Sequence, residues 1–475
     1  MATHSSIATT SPVDGASAPR IQGAPGPTDY TPIETSPPPP AVSLTSNTDQ
    51  VHSKSRSTTP FIESEIYAKM LLLRKNGYPL WEPKTENALY PEIYQEKGSH
   101  IGDVGILNLF GGFDYLFNVC HEATHPLNVG RVPDNFKPIP DFNANDVLET
   151  KYRLGDYVLS DPKQIHQSRV QGSGNQFEGV PKEFGEGQAF SSTTSTGAIL
   201  ILPEGGKRVD YLRPEIFANY AADHAASWYT HATVAMGRET RNGSLYLITG
   251  FDKARAWGSA TFRNANAEDV SLEFVPESSR GNSSYPSYDF RICHSAAATS
   301  DADGTYGEQS GSVFLRGYKI ALRHSWFRRM IPGIINASDF LDPDRSFRFL
   351  KHPVSWLLSL SLLDWIKRQF SSDHIVDFYS VSNARAYHPS DAINSWLLRH
   401  TRADIALSHD DAWAAVIRDD DKEMPDTQEL LLRVRANKHC IQYGTTSRGH
   451  KWVCLRGSPL SFSRNANENL KKHLD

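Results

Sequence analysis

Cysteine is scarce: four residues in 475 (Cys120, Cys293, Cys440, Cys454), widely spaced and with no C-x-x-C pair. That pattern excludes a disulfide-stapled scaffold and a cysteine-rich zinc module, and predicts free thiols in a reducing compartment. An excess of one charge is lacking too. With 49 basic and 54 acidic residues the net charge is −5, so there is no global footprint for nucleic acid or an anionic membrane. Long apolar runs are missing. The most apolar stretch, Val354 to Ile366, is interrupted by Asp364 and falls short of the ~20 residues a spanning helix needs, so it reads as a buried helix. Met1 to Thr10 is rich in Ser and Thr where a secretory leader would be apolar, so a cytoplasmic location is expected. The sequons at Asn242, Asn282 and Asn336 then carry no expectation of glycosylation. There is no G-x-S-x-G elbow, no G-x-x-x-x-G-K-S/T phosphate loop and no G-x-G-x-x-G after a strand. Gly205-Gly206-Lys207 is too isolated to cradle phosphate and reads as a turn.

What is present suffices for a sizeable core: 39% hydrophobic and 11% aromatic residues. The expected fold class is α+β, a mostly antiparallel β-rich core domain with inserted helices, followed by a smaller helical or mixed C-terminal unit. Half of the first 60 residues are Pro, Ser or Thr, including Pro37 to Pro40. Large apolar residues are too sparse there to offset ordering entropy, so 1–59 is expected to be a disordered tail. The β-rich domain is expected over 60–325 and the C-terminal unit over 326–475.

Thr59-Pro60 looks like a helix start, followed by Ile62, Ile66, Met70 and Leu73 at helical spacing and a stop at Asn76-Gly77. Gly77 to Trp81 reads as an extended strap. The strands predicted next are Val104 to Phe110, Phe113 to Val119, Gly197 to Leu202, Ser244 to Thr249, Ala256 to Phe262, Val270 to Val275 and Ser312 to Arg323. Gly111-Gly112 marks a hairpin between the first two. A helix is expected over Pro214 to Tyr229, and loops over Gln171 to Gly187 and Ser295 to Gly311. Beyond Ser325 helical spacing returns, with Pro389 opening a helix that carries Ile393, Trp396 and Leu397. Strands at Glu429 to Val434, His439 to Tyr443 and Lys451 to Leu455, then a short polar tail helix, complete the reading. Arg316, Lys319, Arg323, Arg328 and Arg329 are close in sequence and read as a solvated basic face.

Three constellations could carry chemistry. His121-Glu122-Ala123-Thr124-His125 fits H-E-x-x-H, where a helix sets His121 and His125 on one face as zinc ligands and Glu122 beside the activated water. Pro126 counts against a continuing helix, because its ring would meet the Glu122 carbonyl, and no third ligand stands at the short metzincin spacing. A loop leaving a strand is the competing and preferred reading, so no cofactor is expected and zinc is the alternative. His409-Asp410-Asp411 follows an apolar run, where imidazole and carboxylates can converge on a ligand, or Asp410 or Asp411 can cap a helix carrying Trp413, Val416 and Ile417. Arg238 and Glu239, with Asp252 and Lys253, could line a binding pocket or form an ion-pair network.

Several stretches occur together: Gly77-Tyr78-Pro79-Leu80-Trp81, Ile101 to Gly105 with Phe113 and Leu116 to Asn118, Ser227 to Tyr229 before Gly237 to Glu239, and Asn242 to Tyr246. Ile248 to Gly250, Asp252-Lys253, Trp257-Gly258, His388-Pro389 and His409 to Asp411 with Trp413 complete the set. Over roughly residues 60 to 420 this resembles a large family of uncharacterised proteins of mushroom-forming (basidiomycete) fungi. The resemblance implies a loose association with intracellular signalling or non-self recognition. It carries over no catalytic residue.

Three functions are therefore expected to compete. First is a non-enzymatic interaction or regulatory protein with a protein partner. Second is a metal-dependent hydrolase using His121, Glu122 and His125. Third is a membrane-acting effector, since Leu245 to Thr249 and Ala256 to Phe262 alternate enough for amphipathic hairpins. No nucleic-acid partner and no transmembrane segment are expected.

Overall fold

The computed structural model describes residues 60–84, 89–170, 187–238, 240–266, 270–277, 286–293, 296–300, 309–330, 386–437 and 440–457. All of these fall in one compact unit, Ser57–Asp475. The tail expected over 1–59, the loop over 171–186, the helix at Val354 to Ile366 and the tail helix after 457 lie outside the described residues.

From the N-terminal side come α1 (Pro60–Leu72), the short β1 (Tyr78–Pro79) and α2 (Glu92–Lys97), then β2 (Asp103–Leu107) and β3 (Phe113–Asn118). Next are β4 (Val147–Tyr152), β5 (Asp156–Leu159), β6 (Ile165–Arg169), β7 (Gln188–Ser192), β8 (Gly197–Leu202) and β9 (Gly206–Tyr211). Helix α3 (Glu215–Thr230) ends in a π turn, His231–Ala235, before β10 (Leu245–Ala254), β11 (Gly258–Phe262), β12 (Val270–Glu277), β13 (Ser287–Cys293), β14 (Ala296–Thr299) and β15 (Gly311–Leu322). The C-terminal part holds α4 (His324–Met330), α5 (Pro389–His400), β16 (Ile405–His409), α6 (Asp410–Ala414), α7 (Thr427–Ala436), β17 (Cys440–Thr445) and β18 (Lys451–Arg456).

This is an α+β fold built on mostly antiparallel sheets. Its axis is the pair β10–β15, which runs antiparallel from Tyr246 opposite Lys319 to Ala254 opposite Gly311 and is buried along its whole length. Each strand of the pair changes neighbour midway: β10 takes β2 and then β9, while β15 takes β1 and then β16. The ten-stranded sheet reads β17-β18-β16-β15-β10-β2-β3, with β1, β9 and β4 off that path. Side-chain alternation divides its core in two. Tyr246 and Ile248 face a cluster with Ile393 and Leu397 of α5, Trp413 of α6, and Leu430 and Val434 of α7. Leu245 and Leu247 face Phe217, Ala221, Ala225 and Trp228 of α3, whose small alanines allow a close approach.

Two four-stranded sheets, β14-β11-β8-β5 and β13-β12-β7-β6, form a second body of β structure. Strand β8 is buried on both faces. Ile199 and Ile201 meet Phe190, Leu272 and Phe274 across the sandwich, while Ala198, Leu200 and Leu202 meet Tyr67 and Leu71 of α1. Burying each such large apolar side chain contributes about 1.5–3 kcal/mol before entropy is subtracted.

Several expectations are corrected. Glu429 to Val434 lies in helix α7, not a strand: Asp426 accepts the Glu429 N–H at 2.9 Å as its N-cap, and Leu430 and Val434 bury one face at i, i+4 spacing. Ser295 to Gly311 contains strand β14, which pairs with β11. The basic face is not solvated as a whole. Arg316 and Lys319 are buried in β15, and only Arg328 and Arg329 of the five are exposed. Leu245 to Thr249 and Gly258 to Phe262 are buried strands with no solvent face. On either side of the boundary expected near 325, β15 pairs with β16 and β16 with β18, so both segments contribute to one sheet.

Candidate functional site

His409-Asp410-Asp411 sits where β16 ends and α6 begins, and it is the centre of a buried polar network. His409 caps α6: its Nδ1 accepts the Asp411 N–H at 3.3 Å. Its Nε2 lies 2.8 Å from Thr249 Oγ1, at the bulge of β10. Asp411 Oδ1 lies 3.1 Å from His409 Nδ1 and accepts Gly457 N–H at 2.8 Å, tying α6 to the end of β18.

Asp410 is 0% exposed and collects contacts from four segments. Its Oδ2 accepts the Tyr246 hydroxyl of β10 and Gly317 N–H of β15 at 3.1 Å. Its Oδ1 accepts Trp413 Nε1–H at 3.0 Å and lies 3.3 Å from His388 Nε2. A carboxylate has about four lone-pair directions; three hydrogen bonds reach this one, and His388 Nε2 stands beside it without completing a fourth. Burial alone would push the carboxyl up; His388 beside it, with His409 and Tyr246, outweighs that and holds it below the usual range. His388 is itself an N-cap: its Nδ1 accepts Ser390 N–H at 3.1 Å at the start of α5, and its ring stacks on Tyr78 at 5.0 Å. Gly317 has to be glycine, since an added Cβ would stand 2.1 Å from the Leu247 carbonyl oxygen.

A second group continues the network along β15. Arg316 donates to Asp210 of β9, to the Asn76 carbonyl at 2.7 Å and to the Val209 carbonyl at 3.2 Å, with Asp252 Oδ1 at 2.7 Å. Tyr152 gives its hydroxyl to Asp252 Oδ2 at 2.6 Å, and Arg208 its Nε–H to Asp210 Oδ2 at 2.8 Å. Burial raises the Asp210 carboxyl, and the two arginines more than reverse that.

The structure thus joins Asp252 to Arg316, and not to Arg238. Arg238 precedes β10, whereas Asp252 and Lys253 lie near its far end, roughly 23 Å along the strand at ~3.3 Å per residue. Lys253 gives its ammonium to the Lys97 carbonyl. Glu239 lies outside the described residues. Asn242 uses both ends of its amide on Leu322 of β15, at 2.6 and 2.8 Å; Asn282 and Asn336 lie outside the described residues.

His121 to His125 forms a turn after β3 and not a helix. The two imidazoles stack at 4.0 Å, and Asn128 holds the turn by donating to the Asn118, His121 and Glu122 carbonyls. Burial, then the neighbouring His125, holds the His121 ring below its ordinary range. Among the described residues no three His, Cys, Asp or Glu side chains are grouped to hold a metal ion, and no helix is long and apolar enough to cross a membrane. Cys120 is a free thiol.

Sequence reading missed Tyr246, His388, Arg316 and Asp210 as members of one network. Their partners lie far away in the chain, and only the His-Pro pair at 388 gave a local signal, that of a helix start. Comparison of the chain with protein-family models, curated proteins and solved structures finds no match.

Proposed function

We propose that this chain is a non-enzymatic interaction or regulatory protein of fungal signalling that works by holding a protein partner. The state of Asp410 carries the reading. A catalytic acid or base must offer a free position to the reacting atoms, and this carboxylate has each oxygen engaged and no exposure. His388 and His409 are likewise engaged as helix caps. The resemblance to a family of uncharacterised basidiomycete proteins, loosely associated with intracellular signalling or non-self recognition, points the same way.

A surface suited to a protein partner is the outer edge of β17, which ends the ten-stranded sheet among the described residues. Ile441 and Tyr443 stand on the same side of that strand, 43% and 66% exposed. Residues 441–445 contain no charge and no proline, and their register with β18 has no bulge, so the usual devices that keep an edge from pairing are absent from this strand. Such an uncharged edge suits an extended, uncharged peptide segment with alternating apolar side chains, added as the next strand.

Selection of short random peptides on the full chain tests the reading. Enrichment of alternating apolar sequences is expected, with affinity falling about tenfold in Tyr443→Lys. Two results would contradict it: peptide binding indifferent to Tyr443→Lys, or turnover of an ester, peptide or phosphoester substrate that disappears in Glu122→Gln.

A further inference from the structure

Leu322, the last residue of β15, pairs with Ile405 at the start of β16, and Ile405 with Trp452 of β18, so one margin of the ten-stranded sheet gathers three segments of the chain. Arg323 ties them: its N–H donates to the Asp404 carbonyl at 2.6 Å and its guanidinium to the Thr401 and Ala403 carbonyls at 2.8 and 2.7 Å. Asp404 N–H donates to the Lys451 carbonyl at 2.7 Å, and the His450 ring stacks on Trp326 of α4 at 4.2 Å. Along 323–330, 396–404 and 450–451 the sequence holds six Lys or Arg and one acid, Asp404. Arg328, Arg329, Arg399, Arg402 and Lys451 are exposed, and among the described residues none of their side chains is paired with a carboxylate. The C-terminal dipoles of α4 and α5 favour Arg328, Arg329 and Arg399. Arg402 and Lys451 lie beyond any helix, so the dipoles do not account for the group.

We propose that this margin is a docking surface for a membrane rich in anionic lipid. The whole chain has a net charge of −5, so these cations are a local concentration and not a general excess. Two half-buried tryptophans stand among them, Trp326 against His450 and Trp396 with its ring 5.5 Å from that of His400. Rings of that kind, apolar in body with one polar edge, suit the headgroup level of a bilayer. The course of the chain points to the same occupant. Helix α4 ends at Met330, and the described residues resume at Ala386. The sequence between them contains the most apolar stretch of the protein, Val354 to Ile366, with Trp356 and Trp365 inside it. Arg345, Arg348 and Lys351 precede that stretch and Lys367 and Arg368 follow it, and from 345 to 370 Asp364 is the one acid. Apolar and aromatic residues with basic flanks are the composition a membrane interface selects. A nucleic-acid backbone would satisfy the cations and leave the apolar stretch without a role.

The two contributions differ in how they respond to salt. Each Lys or Arg close to an anionic surface strengthens binding about fivefold, an attraction that ions screen. Aromatic and apolar side chains entering the interface add binding that ions do not screen. Reversible attachment by one such signal becomes firm with two. The docking does not depend on the β17 edge, so strand addition and membrane contact can be measured apart.

Sedimentation of the full chain with lipid vesicles reads the docking. Vesicles of phosphatidylcholine with about one third phosphatidylserine should carry the protein down, and phosphatidylcholine alone should carry far less. Raising the salt from about 0.1 M to about 1 M should release most of what is bound. The combined variant Arg328→Ala, Arg329→Ala and Arg402→Ala removes three exposed cations and should weaken binding to the anionic vesicles about a hundredfold. Its unfolding transition should match that of the wild type; if it does not, the lipid and salt dependence of the wild type decides. Equal binding to the two kinds of vesicle would overturn the proposal, as would binding to anionic vesicles that the triple variant or high salt leaves intact. Absence of binding to either vesicle would overturn it too, and capture of a single-stranded oligonucleotide by the same protein would then assign the margin to nucleic acid.

Discussion

Tyr246 donates its hydroxyl hydrogen to Asp410 Oδ2 in a site where both side chains are closed to solvent. The middle of β10 thereby holds the first residue of α6, and through Trp413 Nε1 and His388 Nε2 the same carboxylate holds the body of α6 and the start of α5. Removing one donor leaves a buried anion short of a partner. Tyr246→Phe is expected to cost about 1–3 kcal/mol of unfolding free energy, and Asp410→Ala, which strands every donor, about 3–5 kcal/mol. Denaturant titration followed by tryptophan fluorescence measures both.

Asp410 and Asp103 are pushed in opposite directions, so their pH signatures have opposite signs. The Asp410 carboxyl is held down in the fold. Its contribution is present above the unfolded carboxyl range, near pH ~3.9, and is lost as the pH falls through the lower folded value. The Asp103 carboxyl is raised to about 7. Its contribution is full below the unfolded value and is lost as the pH rises through the folded one. Asp410→Asn should therefore flatten the acid limb of stability against pH, and Asp103→Asn the slope leading up to neutrality.

Arg316 stands within salt-bridge distance of the buried Asp252 and serves Asp210 as well. Arg316→Ala removes the guanidinium 2.7 Å from the buried Asp252 carboxylate and should destabilise by about 3–5 kcal/mol. Arg316→Lys should recover only part of that, because an ammonium cannot replace a planar fork spread over Asp210, Asn76 and Val209. Thermal unfolding of the two variants compares them.

On the surface the expectation is reversed. Tyr443→Lys alters an exposed side chain on an edge strand and should shift stability by no more than about 0.5 kcal/mol while weakening peptide binding. The two readouts separate a docking residue from a framework residue.

The sequence is most legible where one periodicity dominates. Gly111-Gly112 between apolar runs marked the β2–β3 hairpin, and Gly197 to Leu202 matches β8 at both ends. It is least legible where charge is buried. Strand β10 runs on through Gly250, Asp252 and Lys253, residues that read as a strand's end until Arg316, Tyr152 and the Lys97 carbonyl supply their partners. The run Leu430-Leu431-Leu432 suits either period, and the cap at Asp426 decides for a helix. Within the site, His409 to Asp411 stood out by composition. That they face inward depends on Tyr246, Thr249 and Gly317, far away in the chain.

The most direct measurement is the unfolding free energy of Asp410→Asn together with its peptide affinity at the β17 edge. A framework acid predicts a loss of about 1–3 kcal/mol with unchanged affinity in the folded protein. Unchanged stability together with the loss of a catalytic turnover shown by the wild type would contradict the account.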